Sequence, residues 1–141
     1  EMLLASAVAA QKDLVVLAGD THNGWAGQLR TDATNPIAAN QAAGVEFATA
    51  SVSSPGLESY LSLNTQDPQA VTQIEQVITL LIDDLTYNNL VDRGYLTVTF
   101  TAEQAQAQWH YINTVKDSNY QVLSTRSKQL SVNAGSRQLI S

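Results

Sequence analysis

The chain has 141 residues, 44% of them hydrophobic, and a formal net charge of −6. That is enough for one domain with its own core, and the acidic balance argues against nucleic acid as a partner, since backbone binding draws its affinity from clustered Lys and Arg. With no cysteine there is neither a disulfide framework nor a thiolate-held zinc site, so a metal is left to His, Asp, Glu, Asn or backbone oxygen.

Residues 1–10 lack the basic n-region of a signal peptide and read as the end of an amphipathic helix running to about Gln11-Lys12, so a preceding segment is expected. Residues 13–18 form a short continuous apolar run, the pattern of a strand buried on both faces, and the run stops at Gly19. A helix feeding such a strand predicts a layered α/β arrangement, where ligand sites gather beyond the carboxyl ends of the strands. Asp20 and His22 stand at that position. Residues 24–30 alternate as a second strand, 31–43 form a polar Pro-containing stretch, 45–49 a third strand and 51–55 a loop.

From Asp67 the pattern turns helical. Val71, Ile74, Ile78, Leu81, Ile82 and Leu85 share one face, with Asp67 as N-cap and Pro68 at the first helical position. The helix is expected to end around residues 87–89, with Asp83-Asp84 on its solvated face. Residues 94–100, a tight turn at 101–103 and residues 105–115 predict an antiparallel hairpin or a near-neighbour pair of strands. Residues 120–125 and those from Lys128 onward are candidates for an edge strand, and the basic residues Lys116, Arg126, Lys128 and Arg137 read as solvated surface. No apolar run approaches the roughly 18 residues that a membrane-spanning helix needs.

Gly19-Asp20-Thr21-His22-Asn23 places a carboxylate and an imidazole two residues apart on a turn after a buried strand. Both are ordinary ligands for transition metals, and a glycine before them lets the backbone turn sharply. So short a motif also arises by chance, and Asp or His after a strand is often only a turn former. Asn23 is a candidate substrate or metal contact, or satisfies backbone groups. His110, between Trp109 and Tyr111, reads as structural or exposed, Trp25 as packing, and Arg93 as a salt-bridge partner before a phosphate ligand. Ser51, Ser53 and Ser54 lack a G-x-S-x-G setting, which argues against a serine nucleophile.

Three blocks resemble the PhoD-like alkaline phosphatase family, and together they cover most of the chain. Leu14-Val15-Val16-Leu17-Ala18-Gly19-Asp20-Thr21-His22-Asn23-Gly24-Trp25-Ala26 resembles its apolar strand leading into G-D-x-H-x-x-W-A. Residues 44–56, opening on Gly44-Val45-Glu46-Phe47, resemble its G-V-E-F block and the Ser/Thr-rich, Gly-containing loop after it. Arg93-Gly94-Tyr95, the Thr-Ala-Glu turn and the Trp-containing strand are similar to its closing hairpin.

The resemblance implies the C-terminal portion of a calcineurin-like metallophosphoesterase sandwich, a mixed β-sheet with flanking helices, spanning residues 1–141. It also implies a binuclear metal centre of iron, calcium or another divalent ion, hydrolysis of phosphate monoesters and diesters, and a periplasmic or extracellular location. Asp20 and His22 take the place of the last metal-binding motif. The other ligands belong to an N-terminal segment, and nothing in these 141 residues stands in for them. The alternative is a non-catalytic β-rich interaction or structural module, in which Asp20-Thr21-His22 is only a turn.

Overall fold

Alternating apolar and polar residues build two four-stranded sheets that share one core. The computed structural model describes residues 1–34, 36 and 39–140, so positions 35, 37 and 38 of the polar stretch lie outside the described residues. In chain order the elements are α1 (Met2–Ala9), β1 (Leu14–Ala18), β2 (Gly24–Arg30), β3 (Ala42–Ala48), α2 (Leu57–Tyr60), α3 (Pro68–Leu81), β4 (Leu85–Asn89), β5 (Arg93–Phe100), β6 (Gln104–Ile112), β7 (Lys128–Asn133) and β8 (Leu139–Ile140). The first sheet has the order β1-β3-β2-β4 and is mixed, with β1 parallel to β3 and the other pairs antiparallel. The second, β5-β6-β7-β8, is antiparallel throughout.

The core lies where the sheets face each other. Ala26, Val45 and Phe47 from the first meet Ala105, Ala107, Trp109, Tyr111, Leu130 and Val132 from the second, as period-two alternation requires of a sheet with one buried face. Trp109 stands at the centre. It meets Phe47 edge-on at 5.9 Å and Tyr87 at 5.0 Å, and its indole N–H donates to the Ala48 carbonyl at 2.8 Å. The layered α/β sandwich expected from the sequence is the fold observed.

Five local expectations need correction. Asp67 caps α3 as expected, accepting from the Gln69 and Ala70 N–H groups at 3.1 Å each, but the helix stops at Leu81. Ile82 is already extended, the chain turns at Asp83-Asp84, and residues 85–89 leave as β4 to pair with β2. Thr86, Tyr87, Asn88 and Asn89 are weak helix formers, and a ladder with β2 satisfies their backbone better than another helical turn. Asp83-Asp84 therefore sits in a turn, and the Asp84 carboxylate accepts from Arg30 Nε at 2.8 Å.

β1 is not buried on both faces: among the described residues it is an edge strand bonded to β3 alone, and Leu17 is 55% exposed. α1 is apolar nearly all round, with Ala7 as its buried residue and Met2 and Leu3 exposed, so it is not amphipathic. Of the segments after the hairpin, 120–125 adds only an isolated bridge from Val122 to Ile112, whereas residues 128–133 become an inner strand, with β8 as the edge. Finally, two basic residues of that region are not simply solvated. Arg126 forks onto Glu75 at 2.8 Å and Asp92 at 2.7 Å, and Arg137 lies 3.5 Å from Asp13. No described helix is long and apolar enough to cross a membrane.

Candidate metal site

The chain reverses as soon as β1 ends. Thr21 N–H donates to the Gly19 carbonyl at 2.8 Å across Asp20, whose φ is +71°. A bond from residue i+2 back to residue i around a central residue of positive φ is the rare, strained form of the γ-turn. His22 follows at φ +63°. Two non-glycine residues in the left-handed region within three positions cost on the order of 1–3 kcal/mol each and persist only where the surroundings hold them.

The surroundings here are a buried layer directly beneath the loop. Asn23 is 1% exposed; its Nδ2 donates to the Leu90 carbonyl at 2.7 Å and its Oδ1 accepts from Leu57 N–H at 3.1 Å. Its amide thus holds backbone groups, as one of its two sequence readings has it. Gly24 comes next, where a Cβ would lie 2.1 Å from the Tyr111 hydroxyl, so only glycine lets that ring sit under the loop. Tyr111 shares a 2.7 Å hydrogen bond with Tyr87, and burial pushes both phenols far above their usual range.

Above this layer, His22 Nδ1 lies 2.7 Å from the Pro55 carbonyl oxygen. A carbonyl only accepts, so Nδ1 carries the proton and, in the neutral ring, Nε2 keeps a lone pair. Metal-binding histidines are held this way, one ring nitrogen donating to a carbonyl or carboxylate while the other faces the ion. Asp20, two residues earlier, is exposed. The donor set fits a share of a metal site and not a whole one: among the described residues, no group of three or more His, Cys, Asp and Glu is placed to hold an ion.

The remaining candidates have other duties. Arg93 pairs with Glu58 and donates to the Val91 carbonyl at 2.9 Å, which matches the salt-bridge reading. Ser51 Oγ donates to the Ser54 carbonyl at 2.6 Å. Trp25 is half-buried on the face of β2 turned away from the core, beside Thr21, Leu29 and Glu46. His110, on β6, stacks on Tyr95 at 4.8 Å and lies 3.2 Å from Thr97 Oγ1. The residue that sequence reasoning missed is Pro55. Its only signal was membership of the Ser/Thr-rich, Gly-containing loop, because a carbonyl 33 positions from His22 leaves no local trace.

The profile of a family described as PhoD-like phosphatase matches residues 1–109. No curated protein matches the chain significantly. Among solved structures, one titled "Structure of PhoD" matches with a TM-score of 0.61 and 19% identity, covering 90% of this chain and 22% of that one. At that identity the likeness shows the fold, and the chain spans about a fifth of the solved relative's length.

Proposed function

The chain belongs to the PhoD-like phosphatase family, and from that premise we propose that it is the C-terminal portion of a metal-dependent phosphoesterase in which Asp20 and His22 supply two ligands of the metal centre. The observation that supports this most is the coincidence of strain and orientation. Within this loop the two residues held at positive φ are the two with ligand chemistry, and the imidazole is turned with Nδ1 engaged and Nε2 without a partner among the described residues. Positive φ also occurs at Gln11, Asn40, Ser62 and Arg137, so the weight rests on its coincidence here with the oriented imidazole.

When bound, a binuclear centre of iron, calcium or another divalent ion would polarise the phosphoryl oxygens of a monoester or diester and make water nucleophilic. This chain's own residues do the positioning. Asp20 offers an anionic oxygen, His22 a neutral nitrogen, and the γ-turn with the Pro55 contact holds both in place before an ion arrives. In the same proposal the remaining ligands come from an N-terminal segment of a longer polypeptide. Two features support it: β1, wholly apolar, has an edge that no described strand pairs with, and α1 exposes Met2 and Leu3. Natural edge strands normally carry charges, prolines or bulges against pairing, and a helix apolar all round is normally buried. A strand added parallel to β1 would end beside Asp20, where ligands on its own following loop would complete the set. Periplasmic or extracellular location belongs to the proposal on family likeness alone.

The test uses the longest natural polypeptide that contains this sequence, purified without added metal. Elemental mass spectrometry is expected to find about two equivalents of metal per chain, as in two-metal sites, and His22→Ala is expected to remove most of it along with turnover of a chromogenic phosphate ester. A folded His22→Ala protein with full metal content and activity would sink the assignment and favour the non-catalytic module.

A further inference from the structure

The ligand role of His22 leaves open how its ring is kept in one orientation on an exposed loop. Pro55 has no N–H of its own, so the position of its carbonyl depends on its neighbours. Gly56, next in the chain, is buried, and a Cβ there would lie 2.7 Å from Asn23 Nδ2, 2.8 Å from Glu58 Oε2 and 3.1 Å from the His22 carbonyl. Its φ of −104° suits any residue, so the demand for glycine is one of space. Leu57 N–H is held by Asn23 Oδ1 at 3.1 Å, and Gly56 N–H by Glu58 Oε1 at 3.1 Å. Glu58 is in turn paired with Arg93. Asn23 adjoins His22 and is itself pinned to the Leu90 carbonyl.

We propose that Asn23 and Gly56 are positioning residues that seat the Pro55 carbonyl against His22 Nδ1 and thereby dictate which imidazole nitrogen is presented to a ligand. The inference deepens the metal-site reading and rests on it for its purpose, but its geometry stands in the metal-free protein. Asn23 clamps the two loops together from the side of β2. Gly56 lets them close to the distance at which the Nδ1 contact forms. Loosening either lets the ring turn, and an untethered imidazole shares its proton between both nitrogens.

The experiment is nitrogen-15 NMR of the imidazoles in metal-free protein at about pH 9, where histidine is neutral. The sequence holds two histidines, so a His110→Gln background assigns the signals. Wild type is expected to show the Nδ1–H tautomer at His22, with Gly56→Ala and Asn23→Ala shifting it toward Nε2–H while circular dichroism and cooperative urea unfolding stay native. Should those two fail to fold, Ser51→Ala, which only removes the hydrogen bond to Ser54, is expected to give a smaller shift in the same direction. An Nε2–H tautomer in wild type, or an unchanged Nδ1–H tautomer in the folded variants, overturns the proposal. The readout involves no metal, so a locked Nδ1–H tautomer in a polypeptide that takes up no ion would refute the metal reading and leave this one standing.

Discussion

The two histidines lie in regions that solve opposite problems. His110 sits mid-strand on β6 with ordinary backbone geometry, its ring stacked on Tyr95 and its Nε2 beside Thr97. His22 sits on a loop at positive φ, its Nδ1 bound to a carbonyl and its Nε2 left over. The hairpin uses its imidazole as a flat surface with a polar edge. The loop spends backbone energy to present one. A regular ladder fixes one side chain through its strand neighbours, whereas the turn fixes the other through a carbonyl from a distant loop.

The largest effect that separates the two regions is on activity. In the longest natural polypeptide, His22→Ala should lower phosphate-ester turnover by about a hundredfold or more, the order expected when a hydrolytic metal centre loses a ligand. His110→Ala should leave it within about twofold, because that ring's partners are all structural. Steady-state rates against a chromogenic ester decide. Equal losses in both variants would erase the distinction.

Next in size is the brace. Glu75, 8% exposed, accepts from Leu90 N–H at 3.0 Å and receives both terminal nitrogens of Arg126. The carbonyl of the same Leu90 holds Asn23. Glu75→Ala should cost about 3 kcal/mol in urea unfolding, the low end for breaking a buried pair, since the Arg126 side chain keeps 27% exposure. A cost under about 1 kcal/mol, typical of a surface pair, would mean that the layer beneath the loop does not depend on this network.

The core beneath His22 also predicts a pH limit. Burial raises the Tyr87 and Tyr111 phenols above the ordinary value of 10.0, so the folded state keeps both protonated when the unfolded chain would ionise them. Protons are then bound more tightly in the native state, and stability falls as pH rises past about 10. Tyr111→Phe leaves Tyr87 without its phenol partner and removes one of the two groups, so urea unfolding across that range should show a shallower alkaline decline. An undiminished slope would place the alkaline loss elsewhere.

How much was legible in the sequence follows the range of the interactions. Strand alternation, the Asp67 cap and the Thr-Ala-Glu turn are local, and all three read correctly. β4 did not, because the helical spacing of Ile82 and Leu85 continues past the point where pairing with β2 takes over. The apolar run of β1 spoke for burial that these residues do not provide, since a run reports a strand's character and not its neighbours. At the site, glycine, carboxylate and imidazole were visible as a motif. The features on which the proposed metal role leans were not: the positive φ values, the Pro55 carbonyl 33 residues away and the Glu75–Arg126 pair 51 residues apart have no local signature.

The smallest effect sharpens the contrast from the hairpin side. Tyr95→Ala removes the ring stacked on His110 on an exposed strand face and should cost about 0.5–1 kcal/mol, the usual worth of a cross-strand aromatic pair. Tyr95 is 45% exposed, so little buried area goes with it. The same substitution should leave the His22 tautomer unchanged, because among the described residues no hydrogen bond of the loop reaches Tyr95. If it does shift that tautomer, the hairpin and the loop are one mechanical unit through Gly94, whose N–H donates to the Ser51 carbonyl at 3.2 Å. The separation between the hairpin histidine and the loop histidine would then be one of degree.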